Sequence, residues 1–484
     1  MTPIHPFAGI DARPGATDRG HLAKALNLVI RSDGTAIRRP ALLYRINLPT
    51  DSIGLYAIGD ELRTLAPYNA GDETADDYLA PTIAVDYVVN GASAAAEVIG
   101  AVSDSAGKTV ALVRNADNST VLHHCQPAGS VPSTTLITGM GFTPAYAITR
   151  VAGRIWTLDA GNRYLRYSAL DANDPTAADR WTPDTPANAP GFLDVGQFSA
   201  GNGIPTGLGS MGGRLAVLYR GAVLVYQVEE DQERIFRQAT VQGPGTRHPR
   251  SVVEIGNDLM VLSEAGVRSL STSLRTENAG EDAIGGRIDP LALTLASPVN
   301  TVPRAHYSRR LGAYLIAFGQ DVLCMTFLPG RGPIGWSQWR LPIPVDAWAE
   351  AGGQTYLRSG NHLYQLDDAT VNDATGPSTT VPIPVLLETL PARRPELTQA
   401  IEVAGSGTET IRVQVVTDGR PSLDGGGVPI GRCIMLPPRS LEPARSLVGK
   451  IGRSHAVRVH DEAAAAGWRL DGLWLHSRPA GRGV

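Results

Sequence analysis

The sequence predicts an all-β protein in which one β unit recurs seven times. Short turns carrying Gly, Asn or Asp stand between alternating apolar segments, and the units are marked by turns beginning at Gly59, Gly107, Gly153, Gly213, Gly256, Arg310 and Gly353. Their separations of 48, 46, 60, 43, 54 and 43 residues suit a four-stranded propeller blade and exceed a leucine-rich or ankyrin repeat. The 53 Gly and 35 Pro residues also leave no long amphipathic stretch for a helix. Together these observations predict a β-propeller of about seven blades.

The clearest units show the two-residue period of a β-strand. In the fourth unit, Leu215 and Val217 fall on one face of a strand, and a second apolar strand follows the turn at Arg220-Gly221. A propeller blade buries both faces of its sheet against its neighbours. We therefore expect Leu215, Val217 and Val225 to be buried between sheets.

The chain divides into three predicted parts. Residues 1–48 form an N-terminal arm with one hairpin turned at Asp33-Gly34, residues 49–370 form the β-propeller, and residues 371–484 form a β-sandwich-like domain. A stretch of linker composition at 371–380 separates the last two parts. The arm holds too many apolar residues for a free tail, so we expect it to pair onto a sheet or to dock on a neighbouring subunit. These residues are Leu26, Leu28, Ile30, Leu42 and Leu43.

Composition limits the functional classes. With 43% hydrophobic and 19% charged residues the chain is globular, and its net charge of -4 gives no basic footprint for tight wrapping of nucleic acid, although loose passage of it is compatible. Cys125, Cys324 and Cys433 are odd in number and lack C-x-x-C spacing, which indicates no disulfide framework or zinc site and favours synthesis in a reducing cytoplasm. We expect neither a secretory signal nor a membrane span.

No pattern of catalytic residues emerges. Acidic residues occur in clusters that we interpret as solvated turns, because neighbouring side chains of a strand point to opposite faces. These clusters are Asp76-Asp77, Glu229-Glu230-Asp231, Glu281-Asp282 and Asp367-Asp368. Ser210 lies in a Gly-rich segment that departs from the G-x-S-x-G nucleophile motif.

Metal and cofactor motifs are also missing from the sequence. His123-His124 place their rings on opposite faces of a strand, and Asp171-Ala172-Asn173-Asp174 lacks the Gly and Glu of a calcium-binding EF-hand loop. No Gly-rich segment ends in the Lys-Ser/Thr pair of a phosphate-binding loop. The sequence therefore predicts no catalytic, cofactor-binding or metal-binding residues, and hence no enzyme.

Aromatic residues and long loops suggest contact surfaces instead. Trp336 and Trp339 either cradle a sugar or pack between blades, and packing is the favoured interpretation. Two segments, 421–427 and 171–200, have the length and composition of exposed contact loops.

Several degenerate phrases resemble tail proteins of short-tailed double-stranded DNA bacteriophages. In the arm they are Phe7-x-Gly9-Ile10-Asp11-x-Arg13, Ala25-x-Asn27-Leu28 and Asp33-Gly34-x-x-x-Arg38-Arg39-Pro40. Beyond the arm they are Gly243-Pro244-Gly245-Thr246, Leu262-Ser263-x-x-Gly266-Val267-Arg268-Ser269-Leu270, Gly335-Trp336-Ser337-Gln338-Trp339 and Gly452-Arg453-Ser454-His455-x-Val457-Arg458-Val459. The resemblance is to the tail nozzle, also called tail tubular or tail hub protein, of a podovirus-like phage.

The resemblance implies a structural virion protein made in the host cytoplasm. Such a protein forms a homo-oligomeric ring, usually a hexamer, below the portal and adaptor proteins, carries tail fibres or spikes, and conducts double-stranded DNA during ejection. A mildly acidic chain suits this role, because a conduit should not hold phosphates tightly.

Two other functional classes remain open at the level of sequence. A carbohydrate-binding or carbohydrate-cleaving propeller would use Trp336, Trp339 and Trp156 as contact residues. A cellular propeller scaffold would gather protein partners through its loops.

Overall fold

A computed structural model gives the fold. It describes residues 2–3, 7–13, 21–49, 52–58, 60–67, 78–79, 83–88, 95–103, 109–125, 134–160, 164–170, 181, 190–196, 203–229, 235–276, 284–299, 301–328, 332–390, 396–406, 410–417, 420–421, 432–435, 444–452, 455–462, 464 and 467–479. The fold is all-β and consists of many small sheets, which confirms the predicted class.

In its described residues, the N-terminal segment contributes five short strands. They are β1 (Thr2–Pro3), β2 (Leu22–Leu26), β3 (Leu28–Ile30), β4 (Ala36–Arg38) and β5 (Ala41–Asn47). β3 and β4 form the predicted hairpin, in which the Asp33 carboxylate accepts a hydrogen bond from the Thr35 backbone N–H at 3.0 Å and Gly34 adopts φ +77°. The positive φ favours glycine at this turn.

The first two units share one eight-stranded sheet. Its strands are β6 (Ile53–Ile58), β7 (Glu61–Pro67), β8 (Tyr78–Leu79), β9 (Ile83–Val88), β10 (Ala95–Ser103), β11 (Thr109–Asn115), β12 (Thr120–Cys125) and β13 (Thr134–Leu136). β9 runs parallel to both β7 and β13. These parallel pairs depart from the succession of hairpins that the repeat predicts, and they join the two units into one sheet.

The third and fourth units are regular four-stranded antiparallel sheets. The third contains β14 (Pro144–Val151), β15 (Arg154–Asp159), β16 (Tyr164–Tyr167) and β17 (Gly191–Asp194), and the fourth contains β18 (Gly207–Met211), β19 (Arg214–Leu218), β20 (Ala222–Gln227) and β21 (Phe236–Gln242). Leu215, Val217 and Val225 are all fully buried, as predicted. The alternating pattern therefore identified the core of this unit correctly.

Helices accompany the three-stranded sheet of the fifth unit. A short 3-10 helix (Pro249–Ser251) precedes β22 (Val253–Ile255), β23 (Asp258–Ser263) and β24 (Gly266–Ser269), which are followed by α1 (Leu270–Thr276) and α2 (Asp289–Ala296). The Asp289 carboxylate accepts hydrogen bonds from the Val267 backbone N–H at 2.9 Å and from Arg268 Nη1 at 2.7 Å. These bonds tie α2 to β24.

The sixth and seventh units draw strands from the N-terminal arm. The sixth contains β25 (Arg304–Ser308), β26 (Ala313–Phe318), β27 (Asp321–Leu328) and β28 (Gly332–Arg340), and the seventh contains β29 (Ala347–Ala351), β30 (Gln354–Ser359) and β31 (His362–Asp367). β5 pairs antiparallel with β31 and supplies the fourth strand of the seventh unit. β2 pairs with β28 and continues the sheet of the sixth unit.

The C-terminal strands form two sheets with the arm. They are β32 (Asp373–Ala374), β33 (Thr380–Val381), β34 (Val385–Thr389), β35 (Glu396–Ser406), β36 (Thr410–Thr417), β37 (Arg420–Pro421), β38 (Arg432–Met435), β39 (Ala444–Gly452), β40 (His455–Asp461) and β41 (Arg469–Pro479), of which β32 and β33 pair separately. One sheet has the order β3-β4-β41-β35-β39, and β34, β40 and β36 extend the other beyond β2. Strands of the arm thus share sheets with both of the other predicted parts.

Neighbouring units contact one another through their first strands, which we call the inner strands. Contacts run in order through β6, β10, β14, β18, β22, β25 and β29, and β29 also contacts β6. Each of the seven predicted turns lies between the first and second strand of a unit, although Gly59 and Gly107 themselves fall outside the described residues. The sequence pattern therefore located the same hairpin in all seven units.

Candidate functional site

The arm lies directly against β28, where two of the sequence phrases meet. The Ile10 backbone N–H donates to the Trp336 carbonyl oxygen at 2.8 Å. Gly9 has φ +84°, and a Cβ atom built on it would stand 2.3 Å from the Trp336 backbone nitrogen. A Cβ atom on Gly335 would likewise stand 2.7 Å from the Ala8 carbonyl oxygen. Both glycines are therefore required by a close approach of two backbones.

Asn27 continues this contact along β28 and turns the chain from β2 into β3. Its backbone N–H donates to the Gln338 carbonyl oxygen at 2.7 Å, and its side chain accepts from the Arg340 backbone N–H at 2.7 Å. The amide of the same side chain donates to the Pro384 carbonyl oxygen at 2.7 Å. Asn27 has φ +56°, a left-handed conformation that asparagine tolerates better than most residues. This one side chain joins the arm, the sixth unit and the C-terminal part.

A buried ion pair completes the joint. The guanidinium of Arg39 and the carboxylate of Asp373 form a two-pronged pair, with Nη1 and Oδ1 2.9 Å apart, and both side chains are at most 2% exposed. Arg39 Nε donates to Asn27 Oδ1 at 3.0 Å, and Asp373 also accepts from the Leu42 backbone N–H at 2.9 Å. Such charges are stable in the interior only when their hydrogen bonds are made together. We call Asn27, Arg39, Asp373 and the Gly9–Gly335 contact the arm joint.

Two further residues of the arm phrases support the joint. Arg38 donates to the Thr370 carbonyl oxygen at 2.7 Å and to that of Val371, and burial lowers the pKa of its guanidinium. The Asp11 carboxylate accepts from Arg13 Nε at 2.9 Å, and this hydrogen bond holds the pKa of Asp11 below its usual range. Arg38 and Asp11 therefore both bind other groups of the same chain.

The structure places the predicted sugar-binding tryptophans in the interior. Trp156 and Trp339 are fully buried and Trp336 is 4% exposed. The indole N–H of Trp156 donates to the Val151 carbonyl oxygen at 3.1 Å. That of Trp339 donates to the Leu28 carbonyl oxygen, and that of Trp336 to the Ile284 carbonyl oxygen, both at 2.8 Å. These rings pack within the protein, so the interpretation in which they contact a carbohydrate is wrong.

The other candidate residues also stay apart. Asp367 accepts hydrogen bonds from Thr370, whereas Asp368 pairs with Arg310 at 2.6 Å, so this doublet is not a catalytic pair. Ser210 lies on β18, 3.4 Å from Glu254. The doublets Asp76-Asp77 and Glu281-Asp282, the residues Glu230-Asp231 and the segment 171–174 lie outside the described residues.

The histidine pair is buried in the second unit. Burial lowers the pKa of His123 to about 4, so the ring is neutral at physiological pH. Within the described part of the chain, no group of three His, Cys, Asp or Glu side chains has the spacing to hold a metal ion. Among the same residues, no helix has the length and apolar character to cross a bilayer.

Most residues of the two predicted contact loops lie outside the part of the chain that the structure describes. Residues 422–427 lie outside the described residues, as do 171–180, 182–189 and 197–200. In the described part of the second loop, Phe192 is 46% exposed. The centre of its ring lies 4.8 Å from the centre of the Tyr164 ring and 4.9 Å from the guanidinium of Arg166. Whether these loops bind partners stays a prediction.

Comparison with known proteins identifies no family. No protein-family model and no curated protein matches the sequence. Among solved structures, the chain is similar to the extracellular domain of a hybrid two component system from B. thetaiotaomicron (8% identity, 92% of this chain and 63% of that chain, TM-score 0.40). It is also similar to the WD40 domain of Toxoplasma gondii coronin (10%, 67% and 83%, 0.32) and to an exo-beta-1,3-galactanase from Phanerochaete chrysosporium (8%, 78% and 95%, 0.24). Similarities at these TM-scores decide nothing about the function of this chain.

Sequence reasoning missed one member of the arm joint, Asp373. It singled out Gly9, Asn27, Arg39 and Gly335, but it assigned Asp373 to a linker because its neighbours are polar and lack an apolar period. The signal in the sequence was Arg39 itself, which stands among apolar residues of the arm. A buried arginine requires an acidic partner, so a carboxylate elsewhere in the chain was to be expected.

Proposed function

We propose that the protein is a structural component of the tail of a short-tailed double-stranded DNA bacteriophage, the nozzle below the portal and adaptor. The observation that carries the proposal is the meeting of the arm phrases with the Gly335–Trp339 phrase, both of which resemble nozzle proteins, in one buried joint. The described hydrogen bonds of Ile10, Asn27 and Trp339 join the arm to the sixth unit. Shared phrases of this kind preserve an architecture rather than a reaction.

A closed seven-bladed propeller is part of the proposal. Its support is the order of contacts among the inner strands, which returns from β29 to β6. Further support comes from β5, which pairs with β31 so that the seventh sheet holds strands from both ends of the repeats. A strand from the N-terminus that completes the last blade would keep the ring from opening at its seam.

The proposed partners follow from the nozzle role. Copies of the chain would form a hexameric ring that binds the adaptor and portal on one side and fibres or spikes on its exterior. Double-stranded DNA would pass through this ring only during ejection, and a net charge of -4 suits transient passage. The protein would reside in the virion after synthesis in the host cytoplasm, and it would catalyse no reaction.

The carbohydrate alternative loses the contact residues on which it was based. Because Trp156, Trp336 and Trp339 are buried, a sugar would have to be bound by other side chains. The cellular scaffold alternative does not depend on these three tryptophans. The oligomeric state of the protein has to distinguish it from the nozzle.

Negative-stain microscopy and mass photometry of the purified chain test the proposal. We expect rings with a central opening and a mass near six chains, and antibody against the protein should label the tails of virions that carry it. A monomer that binds no phage component would favour the cellular scaffold. Reproducible hydrolysis of polysaccharide that one Asp or Glu substitution removes would favour the carbohydrate enzyme.

A further inference from the structure

Four arginines gather at one end of the inner strands. Glu97 on β10 pairs with Arg114 at 2.5 Å, with Arg304 at 3.3 Å and with Arg250. Arg358 lies nearby and donates to the Ser52 carbonyl oxygen. We call Arg114, Arg250, Arg304 and Arg358 the arginine cluster.

Topology explains why residues so distant in sequence meet. Arg304 is the first residue of β25, and Arg250 stands just before β22. Arg114 on β11 is the cross-strand partner of Glu97 near the beginning of β10, and Arg358 on β30 pairs with Ala347 at the beginning of β29. All four therefore lie where inner strands begin, at the same end of the units.

The cluster holds more positive than negative charge. Its four guanidinium groups face the carboxylates of Glu97 and Asp346 among the described residues, which leaves an excess of two positive charges. Burial and, to a lesser extent, the nearby charge of Arg304 together lower the pKa of Arg250 to about 9. Arg358 Nε is buried and has no hydrogen-bond partner among the residues that the structure describes. Buried charge without a counter-ion is costly, so this end of the units favours a bound anion.

We propose that the arginine cluster binds a doubly charged oxyanion, either inorganic phosphate or a phosphate monoester. Two negative charges balance the excess, and the planar guanidinium fork matches the spacing of phosphate oxygens. Arg114 and Arg304 keep 44% and 22% of their side chains exposed, so an anion can reach the cluster from solvent. The inference does not depend on the proposed nozzle role.

Calorimetry with inorganic phosphate and with phenyl phosphate tests the site, with chloride raised equally in the reference cell. We expect both probes to bind the parent protein, and Arg304→Gln and Arg250→Gln to weaken binding roughly tenfold or more, as loss of a charged hydrogen bond does. Tighter binding of phenyl phosphate would identify a monoester as the ligand, and equal binding would identify free phosphate. Arg214→Gln, at the opposite end of the units, is the matched control and should bind like the parent.

A more exposed variant separates ligand binding from folding. Arg114→Gln should keep the fold even if Arg250→Gln or Arg304→Gln does not, because its side chain is nearly half exposed. Phosphate should raise the melting temperature of the parent more than that of Arg114→Gln. The proposal is overturned if the parent binds neither probe at millimolar concentration, or if the folded cluster variants bind both probes with parental affinity.

Discussion

The third and fourth units and the arm joint achieve stability in opposite ways. In the two units each strand pairs with the next strand of the chain, and the core is formed mainly by aliphatic side chains. In the joint, Arg39 pairs with a carboxylate 334 positions away, and Asn27 bonds to the sixth unit and the C-terminal part. The units require a local alternation of side chains. The joint requires a few particular polar residues in one arrangement, so single substitutions should affect the two regions differently.

The largest loss of stability is expected from Val225→Asp in the fourth unit. The change buries a charge without a partner in a fully buried position and should cost about 4–5 kcal/mol of unfolding free energy. Urea unfolding followed by circular dichroism measures it. Phe236→Asp on β21 of the same sheet is the control, because Phe236 is 54% exposed and its change should be nearly neutral. Equal stability of the two variants would contradict the assignment of this core.

Breaking the ion pair of the joint should have nearly as large an effect. Asp373→Ala leaves the buried Arg39 guanidinium without its carboxylate, and we expect a loss of about 4 kcal/mol. Asp368→Ala removes a carboxylate that is 65% exposed and should cost less than about 1 kcal/mol. Thermal unfolding of both variants gives the comparison. Similar losses from the two would show that burial does not distinguish the joint from the surface.

Acidification should destabilise the second unit through His123. Its pKa is about 4 in the folded chain, below the ordinary value of 6.5, so the folded state binds fewer protons than the unfolded state. Stability should therefore fall as the pH drops from 6.5 to 4, by about 3 kcal/mol for this residue, and should not fall further on its account below pH 4. His123→Gln should flatten the dependence in part, because burial also lowers the pKa of His306 to about 4. A parental profile in this variant would assign the effect to other groups.

Alanine substitutions at two glycines with positive φ distinguish the cost of the backbone conformation from the cost of a steric clash between the arm and β28. Gly9→Ala meets the Trp336 backbone, whereas Gly353→Ala, at φ +68°, has open space around its new methyl group. We expect losses of about 2 kcal/mol for Gly9→Ala and about 1 kcal/mol for Gly353→Ala. Denaturant midpoints provide the measurement. If Gly353→Ala costs as much, the approach of the arm to β28 contributes nothing beyond the dihedral angle.

The sequence predicts what is local in this fold. The seven turns and the buried Leu215, Val217 and Val225 follow from alternation within a few residues, a pattern set by the pleat of a single strand. The parallel pairing of β7 with β9 could not be predicted in this way, because it depends on which strand edge is free after folding. The helices beside the fifth unit were also missed, since they are only seven and eight residues long.

Long-range partners were beyond the reach of the same reasoning. An arm that pairs onto a sheet was among the expectations, but the pairing of β2 with β28 and β34, and of β5 with β31, depends on strands more than three hundred positions away. Glu97 gave no signal in the sequence, because each of its arginine partners other than Arg114 lies in another unit. Only the assembled fold brings such residues together.

Glu97 also bears on the route that DNA would take. It extends from the second unit to arginines of the fifth and sixth units, so in the closed propeller that we propose its carboxylate would span the space inside the inner strands. A duplex cannot thread an opening that one glutamate side chain bridges. In a phage tail built from this protein, the bore would have to be formed by several copies standing side by side, with each set of inner strands embedded in its wall.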